Sequence, residues 1–445
     1  MNPKTRYSFI GNALRGDGPF RPTVSYDQYG KPSNSGASYI IKYGRENDAK
    51  YASRNEIAFF ESPLYRVTDR FVSHISAKPV QRDINQQLLK NIYDDTDGKG
   101  NDIDVFFGLF MVEAKARGAM LLLVDMPAQL PGNMGSQITE RASPYWTPLL
   151  PEQLTDYQVG NDGKFDFAEF SGTYVNGEGD TVECLWYFDR EKWECRDTGG
   201  VALDGNDHPL GECPILIFTE NGDFPSFGPF APIADLSKRL FNLDSEMDEI
   251  LRSQTFSLLT LEVPEDSSAA ERLEAAQTSG ETIGTQNMMV HTGKTPAFIA
   301  PSEGPAAVYE RRIQEIRSRI NDIGLEIAAP EQRESGIAMQ MRFQAINAAL
   351  AAFSVIMEGL ERRAWELSAR WLGMDETPEI MWPTDFNIAD PAAELEILRN
   401  MEETNMSPEV IAEQQKKVIS VQFANMEMDT LETLAGTIDN VLSAT

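Results

Sequence analysis

The chain has 445 residues, with 39 Lys and Arg against 69 Asp and Glu, a formal net charge of −30. That balance argues against tight nucleic-acid binding, which needs cations to neutralise phosphates, and leaves only loose contact. Apolar residues make up 41% of the chain, enough for a large core in roughly two to four structural units and too many for a disordered polymer.

No apolar run reaches about 18 residues, so no membrane span is expected. The opening "MNPKTRYSFIGNALRG" lacks the apolar run of a signal peptide, and a reducing cytoplasm is the expected setting. The three cysteines, Cys184, Cys195 and Cys213, are odd in number and form no C-x-x-C, which argues against a disulfide framework. His208 near Cys213 raises a metal site as one reading; buried cysteines in strands are the preferred one.

Residues 1–53 are rich in Gly, Pro, Ser and Tyr and read as an irregular arm. From 54 to 77, Ile57, Phe60, Leu64, Val67, Phe71 and Ile75 recur at helical spacing, and Pro63 kinks that helix or splits it in two. The acidic turn "DDTDGKGND" fails as an EF-hand. With Asp95 as the first ligand, Phe106 falls where a bidentate Glu is needed. Helix capping by Asp102 is the alternative. That helix runs to about Arg117, stops at Gly118 and resumes as a strand from Met120 to Val124. "TVECLWYFDREKWECRD" alternates, turns at "DREK" and returns, a β-hairpin signature. The whole of 54–231 reads as an α+β lobe with a mostly antiparallel sheet.

Beyond it the pattern turns helical. Leu236, Leu240, Leu243, Met247 and Ile250 step by 4-3 through a helix over 232–260. Gly and Pro break 261–304, with short strands expected around "NMMVHT" and "PAFIA". A second helix over 305–327 carries Tyr309, Ile313, Ile316, Ile320, Ile323 and Ile327. The two form a hairpin of roughly 40 Å at 1.5 Å per residue. A charged turn, 328–336, then leads into the longest pattern, within 337–389. Met339, Phe343, Ile346, Leu350, Phe353, Met357, Leu360, Ala364, Leu367 and Trp371 hold 4-3 spacing until Gly373 stops the helix. Residues 390–445 form a last acidic helical region, with Pro391 and Pro408 at first-turn positions.

Catalytic motifs are sparse. "GKT" at Gly293-Lys294-Thr295 has no Gly-rich cradle ahead of it, and there is no G-x-S-x-G or H-E-x-x-H. Only His74, His208 and His291 could serve as imidazole bases, and in a chain this acidic, paired carboxylates carry little information. A non-enzyme without cofactors is expected. The apolar seams exceed what one helical hairpin can bury, and copies packed in a ring would bury the rest. Phe343, Ile346, Leu350, Phe353 and Met357 are the expected oligomer seam.

This order of parts resembles that of tailed-bacteriophage portal proteins, from about 54 to 442. "FVSHISAKPV", "ARGAMLLLVDMP", "YWTPLLPEQLTDYQV" and "ESGIAMQMRFQAINAALAAFSVIMEGLERRAWELSARWLG" read like the corresponding portal segments. The resemblance implies an α+β, mainly helical subunit of a ring, a 12-mer, at one capsid vertex. It divides the chain into a wing (54–231), stem helices (232–260 and 305–327) and a clip (261–304). A tunnel loop (328–336), a long helix returning to the wing (337–389) and a helical crown (390–445) follow. It implies double-stranded DNA passing through the channel, weakly contacted, and assembly in the host cytoplasm into a virion. The implied partners are the terminase large subunit, major capsid and scaffold proteins, and a head-completion or adaptor protein at the clip. Glu331, Gln332, Arg333, Glu334 and Ser335 would face the channel, with Arg333 either touching phosphate or pairing with Glu331 or Glu334. Glu262, Glu265, Glu281 and Lys294 would meet the adaptor.

The charge agrees with a sliding polymer. Segment 261–304 has seven acids and two bases, and 390–445 has eleven acids and three bases. Such surfaces repel a phosphate backbone over about 8 Å at physiological salt. Arg311, Arg312, Arg317 and Arg319 read as solvated or as paired with Glu310, Glu315 and Asp322 at helical spacing. The alternatives are another virion ring component, such as a head-tail connector, and a soluble cytoplasmic enzyme.

Overall fold

The computed structural model describes residues 2–127, 142–175, 179–255, 258–262, 288–291, 297–299, 304–324, 336–386, 391–404, 406–422 and 436–438. It divides into two compact units, Met1–Thr384 and Asp385–Thr445.

The first unit begins with a helix, α1 (Pro3–Arg15), where an irregular arm was expected. Its Asn2 side chain accepts from the Lys4 N–H, and Gly16 closes it in the left-handed conformation. Tyr7, Ile10, Ala13 and Leu14 lie on one face and are buried. The helical period was present in the sequence, diluted by Gly11, Asn12 and Arg15. A two-stranded hairpin follows, β1 (Val24–Tyr26) with β2 (Pro32–Asn34), then α2 (Asp48–Ile57). Pro63 splits the next helical pattern, so that α3 spans Pro63–Ser76 with Ser62 as its cap. After β3 (Gln81–Asp83) and α4 (Gln87–Asp94) comes α5 (Ile103–Arg117). Asp102 caps α5 by accepting from Val105 N, and Gly118 ends it at φ 78°.

β4 (Ala119–Asp125) is the centre of a three-stranded antiparallel sheet with β5 (Tyr145–Leu149) on one side. A five-stranded antiparallel meander comes next: β6 (Leu154–Val159), β7 (Phe165–Val175), β8 (Thr181–Phe188), β9 (Lys192–Asp197) and β10 (Ala202–Asp207). The predicted hairpin is β8 and β9. The chain then returns as β11 (Ile215–Thr219) on the other side of β4. Leu121 and Leu123 face the meander, where they share a core with Leu149, Phe165, Phe170, Phe188 and Ile215. The opposite face of the sheet carries Leu122, Trp146 and Phe218. A sheet buried on both faces needs a second cover, and helices supply it.

α6 (Ala231–Thr255) is the first helix of the hairpin. The expected helix to 260 is shorter, because Leu258–Glu262 is a strand, β12. Backbone pairing wins there: β12 runs parallel to β13 (Met288–His291) and antiparallel to β14 (Ala297–Ile299). α7 (Gly304–Ile323) returns along α6. α8 (Gly336–Trp371) is the longest helix, and β15 (Glu379–Met381) pairs back onto β3.

The seam of α8, expected between copies, meets a surface of its own chain over Ile346 to Met357. Ile346, Leu350, Phe353 and Met357 are buried within the single chain, Leu350 and Phe353 at 2% exposure and Met357 at 0%. Phe353 packs edge-on against Phe71 of α3 and Phe218 of β11, each ring centre 5.5 Å away. Trp365 packs 5.2 Å from Trp146 of β5. The 4-3 pattern is the cover for the open face of the three-stranded sheet, so these side chains are not available to a second copy. Phe343 lies on α8, but its side chain is outside the described residues.

In the second unit, α9 (Pro391–Glu403) and α10 (Pro408–Gln422) pack on each other, each opening with its proline. No helix among the described residues is long and apolar enough to cross a membrane.

Candidate functional site

The hairpin α6–α7 is the part that carries the sequence-based expectation. Its helices have 25 and 20 residues, roughly 38 and 30 Å. Glu246 bonds the Tyr309 hydroxyl, and Asp244 senses Arg317. Numbers rising on α6 pair with numbers falling on α7, so the helices run in opposite directions. Ile313, Ile316 and Ile320 form the buried stripe of α7, while Arg311, Glu315, Arg319 and Asp322 are exposed on its other face. Of the expected ion pairs there, Arg312 with Glu315 is formed at 2.6 Å. Burial is the main influence on Asp244 and raises its carboxyl above the usual range, with Arg317 opposing.

The base of the hairpin is fixed by close packing and buried charge. Gly324 ends α7 against α3, where a Cβ would lie 2.7 Å from Val67 Cγ1. At the start of α6, Gly228 donates to Arg117 O, and Glu220 N donates to Gly118 O, both at 3.0 Å. A Cβ on Gly118 would sit 1.8 Å from Gly228 N. Beside this joint, Lys115 Nζ pairs with Glu220 at 2.5 Å, both side chains nearly dry. The ammonium faces Phe71 at 4.2 Å, Phe230 at 4.5 Å and Phe353 at 5.2 Å. It therefore links α3, α5, the entry to α6 and α8. Burial pulls Lys115 down and Glu220 up from their ordinary values, each opposed by the other's charge.

Further buried ions hold the lobe. Arg117, fully buried, pairs with Glu113 and with Glu152 at 2.6 Å. Arg82 meets Glu361 at 2.6 Å, and the same carboxylate accepts from the indoles of Trp365 and Trp382. The sequence reading missed these groups. The signal was three charges, Glu113, Lys115 and Arg117, inside the otherwise apolar "FFGLFMVEAKARGAMLLLV".

Of the expected channel and clip residues, Glu331, Gln332, Arg333, Glu334 and Ser335 lie outside the described residues, as do Glu265, Glu281 and Lys294. Glu262 lies on β12, its backbone opposite His291. The cysteines are buried, Cys184 on β8 and Cys195 on β9, and burial pushes the Cys213 thiol up to about 12. His208 bonds the carbonyl of Asp189 at 3.1 Å.

No family model and no curated protein matches the chain. Among solved structures it is similar to a chain of the virion of a native gene transfer agent particle. Identity is 12% and the TM-score 0.38, covering 90% of this chain and 94% of that one. A chain in the neck of an empty gene transfer agent particle, computed with C6 symmetry, is 13% identical with a TM-score of 0.40, over 78% of this chain and 86% of that one. A chain in the neck of a native particle, computed with C12 symmetry, is 14% identical with a TM-score of 0.39, over 84% and 89%.

Proposed function

We propose that the chain is the subunit of a portal ring: a channel at one vertex of a virion through which double-stranded DNA is packaged and ejected. The observation that carries this reading is the α6–α7 hairpin, two long antiparallel helices joined through a small sheet and fixed at their base to an α/β lobe. The order of parts along the chain is that of a ring subunit in which the hairpin lines a passage. The chain would act as conduit and platform rather than as catalyst.

The charge supports passage without arrest. Excess acid over 261–304 and 390–445 would repel phosphates, while Arg311 and Arg319 on the exposed face of α7 would offer weak contacts. Repeated around a ring, such contacts guide a polymer without gripping it. Gln332 and Arg333 would add a second set. Terminase, capsid, scaffold and adaptor proteins would dock on the outer surfaces, the adaptor at Glu262, Glu265, Glu281 and Lys294.

Negative-stain images of the purified protein, with a mass measurement of the particle, test this. Rings with a central hole and a mass near twelve chains are expected, twelve being the subunit number the resemblance implies. Compact particles of one chain each overturn the reading.

A further inference from the structure

The three-stranded sheet ends on β11, whose outer side carries unpaired backbone. Val124 N donates to Pro214 O, and Glu220 N donates to Gly118 O. With Ile217 opposite Leu121, the bonds to β4 fall on the even-numbered residues of β11. The N–H and C=O groups of Ile215, Ile217 and Thr219 therefore point away from the sheet. The sulfur of Cys213 takes the N–H of Ile215. Those of Ile217 and Thr219 meet no partner among the described residues.

Alongside lies a slot of about 420 Å³. β11 forms its floor, Ile356 and Gly359 of α8 one wall, and Lys164 at the β6–β7 turn part of the other. A Cβ at Gly359 would meet nothing within 4 Å.

The other edges of this sheet and of the five-stranded meander are blocked. On β10, Asp204 takes the N–H of Gly205 and Asn206 that of Asp207. On β6, Asp156 takes the N–H of Tyr157, and the register shifts twice. On β5, Pro148 has no N–H, and Trp146 donates to Thr96 O. These are the devices that keep strands from adding to an edge. β11 has none on Ile217 or Thr219, and its sequence "ILIFT" is apolar.

The mouth of the slot is basic. Lys164, Arg363 and Arg370 converge on one carboxylate, Glu212, at 2.5, 2.7 and 2.5 Å. Arg363 also pairs with Glu366, so three cations share two carboxylates, and the remaining positive charge suits an incoming strand that carries acids, in which this chain, at −30, is itself rich. We infer that the β11 edge receives an extended, acid-bearing strand from a second copy of the chain, making the sheet four-stranded across a subunit boundary. Donor and acceptor surfaces differ, so the contact is head-to-tail and can close a ring. Only that closure rests on the proposed function; strand addition holds for any association of copies.

Hydrogen exchange of the Ile217 and Thr219 amides, read by mass spectrometry in associated and diluted protein, is the test. On the order of tenfold slower exchange is expected on association. Thr219→Pro removes an outward N–H and leaves the β4 bonds in place. Gly359→Phe fills the slot from the other wall without touching β11. Each is expected to weaken association about tenfold, and Gly359→Phe to do so with an unchanged thermal midpoint. Rings whose amides exchange as fast as in diluted chains overturn this inference and leave the ring standing. Protected amides in an assembly that is not a ring do the reverse. A chain that stays single overturns both, and protection appearing only when a different protein is added overturns the second copy as donor.

Discussion

The Lys115 ammonium lies 2.5 Å from the Glu220 carboxylate beneath the rings of Phe71, Phe230 and Phe353. Two opposite charges taken out of water at the root of the hairpin stabilise it only as a pair. Removing one leaves the other buried and uncompensated, at about 3–5 kcal/mol. Lys115→Ala and Glu220→Ala are each expected to lower stability by that amount in urea unfolding. The double variant Lys115→Met, Glu220→Leu restores most of it, because an apolar pair needs no counter-charge. A double variant as unstable as the sum of the single ones refutes the coupling.

Phe353 distinguishes a seam within the chain from a seam between chains. Its ring touches α3 and β11 of its own molecule. Phe353→Ala is expected to cost about 3–5 kcal/mol, and the loss appears in the unfolding of diluted, unassociated protein. A variant with normal single-chain stability and impaired association would return this residue to the subunit boundary.

Glu212 gives an acid-sensitive contribution. Burial alone would raise its carboxyl, but Lys164 and Arg363 outweigh that and hold it below its ordinary value. A group depressed in the folded state contributes stability above its unfolded pKa, about 4.3, and loses it as pH falls through the folded value. Glu212→Gln is therefore expected to be less stable than the parent at pH 7 and nearly equal to it near pH 2. Urea midpoints at the two pH values check this, and a gap that persists in acid contradicts it.

Gln332 and Arg333 carry the channel expectation. Replacing both by Ala is expected to leave ring formation intact and to change packaged-DNA yield or retention. On the exposed face of α7, Arg311→Ala with Arg319→Ala is expected to flatten the salt dependence of duplex binding by the purified ring, since fewer counterions are released. Anisotropy of a labelled duplex over a salt series measures the second effect, and an unchanged slope removes these residues from the channel wall.

Much of the fold could be read from local pattern. Asp102 and Gly118 mark the ends of α5, Pro63 divides α2 from α3, and the alternation from Val182 to Phe188 marks β8. What could not be read was which surface an apolar seam meets. The 4-3 stripe of α8 looks the same in sequence whether its cover is a neighbouring molecule or the far side of a sheet in the same one. That sheet is assembled from β5, β4 and β11, residues 119 to 219, and no local spacing announces it. The buried ions were hidden similarly. Glu361 finds Arg82 279 positions away, and only the folded chain brings them together. The bare edge of β11 depends on the absence of a side chain able to cap it, which is visible only once the register is known.

The meeting of Gly118 with Gly228 has a mechanical consequence. Two residues without side chains let one peptide plane rest on another, so the approach to the hairpin is tied to the last residue of α5, just ahead of the central strand, by a main-chain bond rather than by side chains free to change rotamer. A pull along α6 is therefore expected to reach the end of α5, and through it the start of β4, with little slack, which favours the lobe and the hairpin tilting together over bending at this joint.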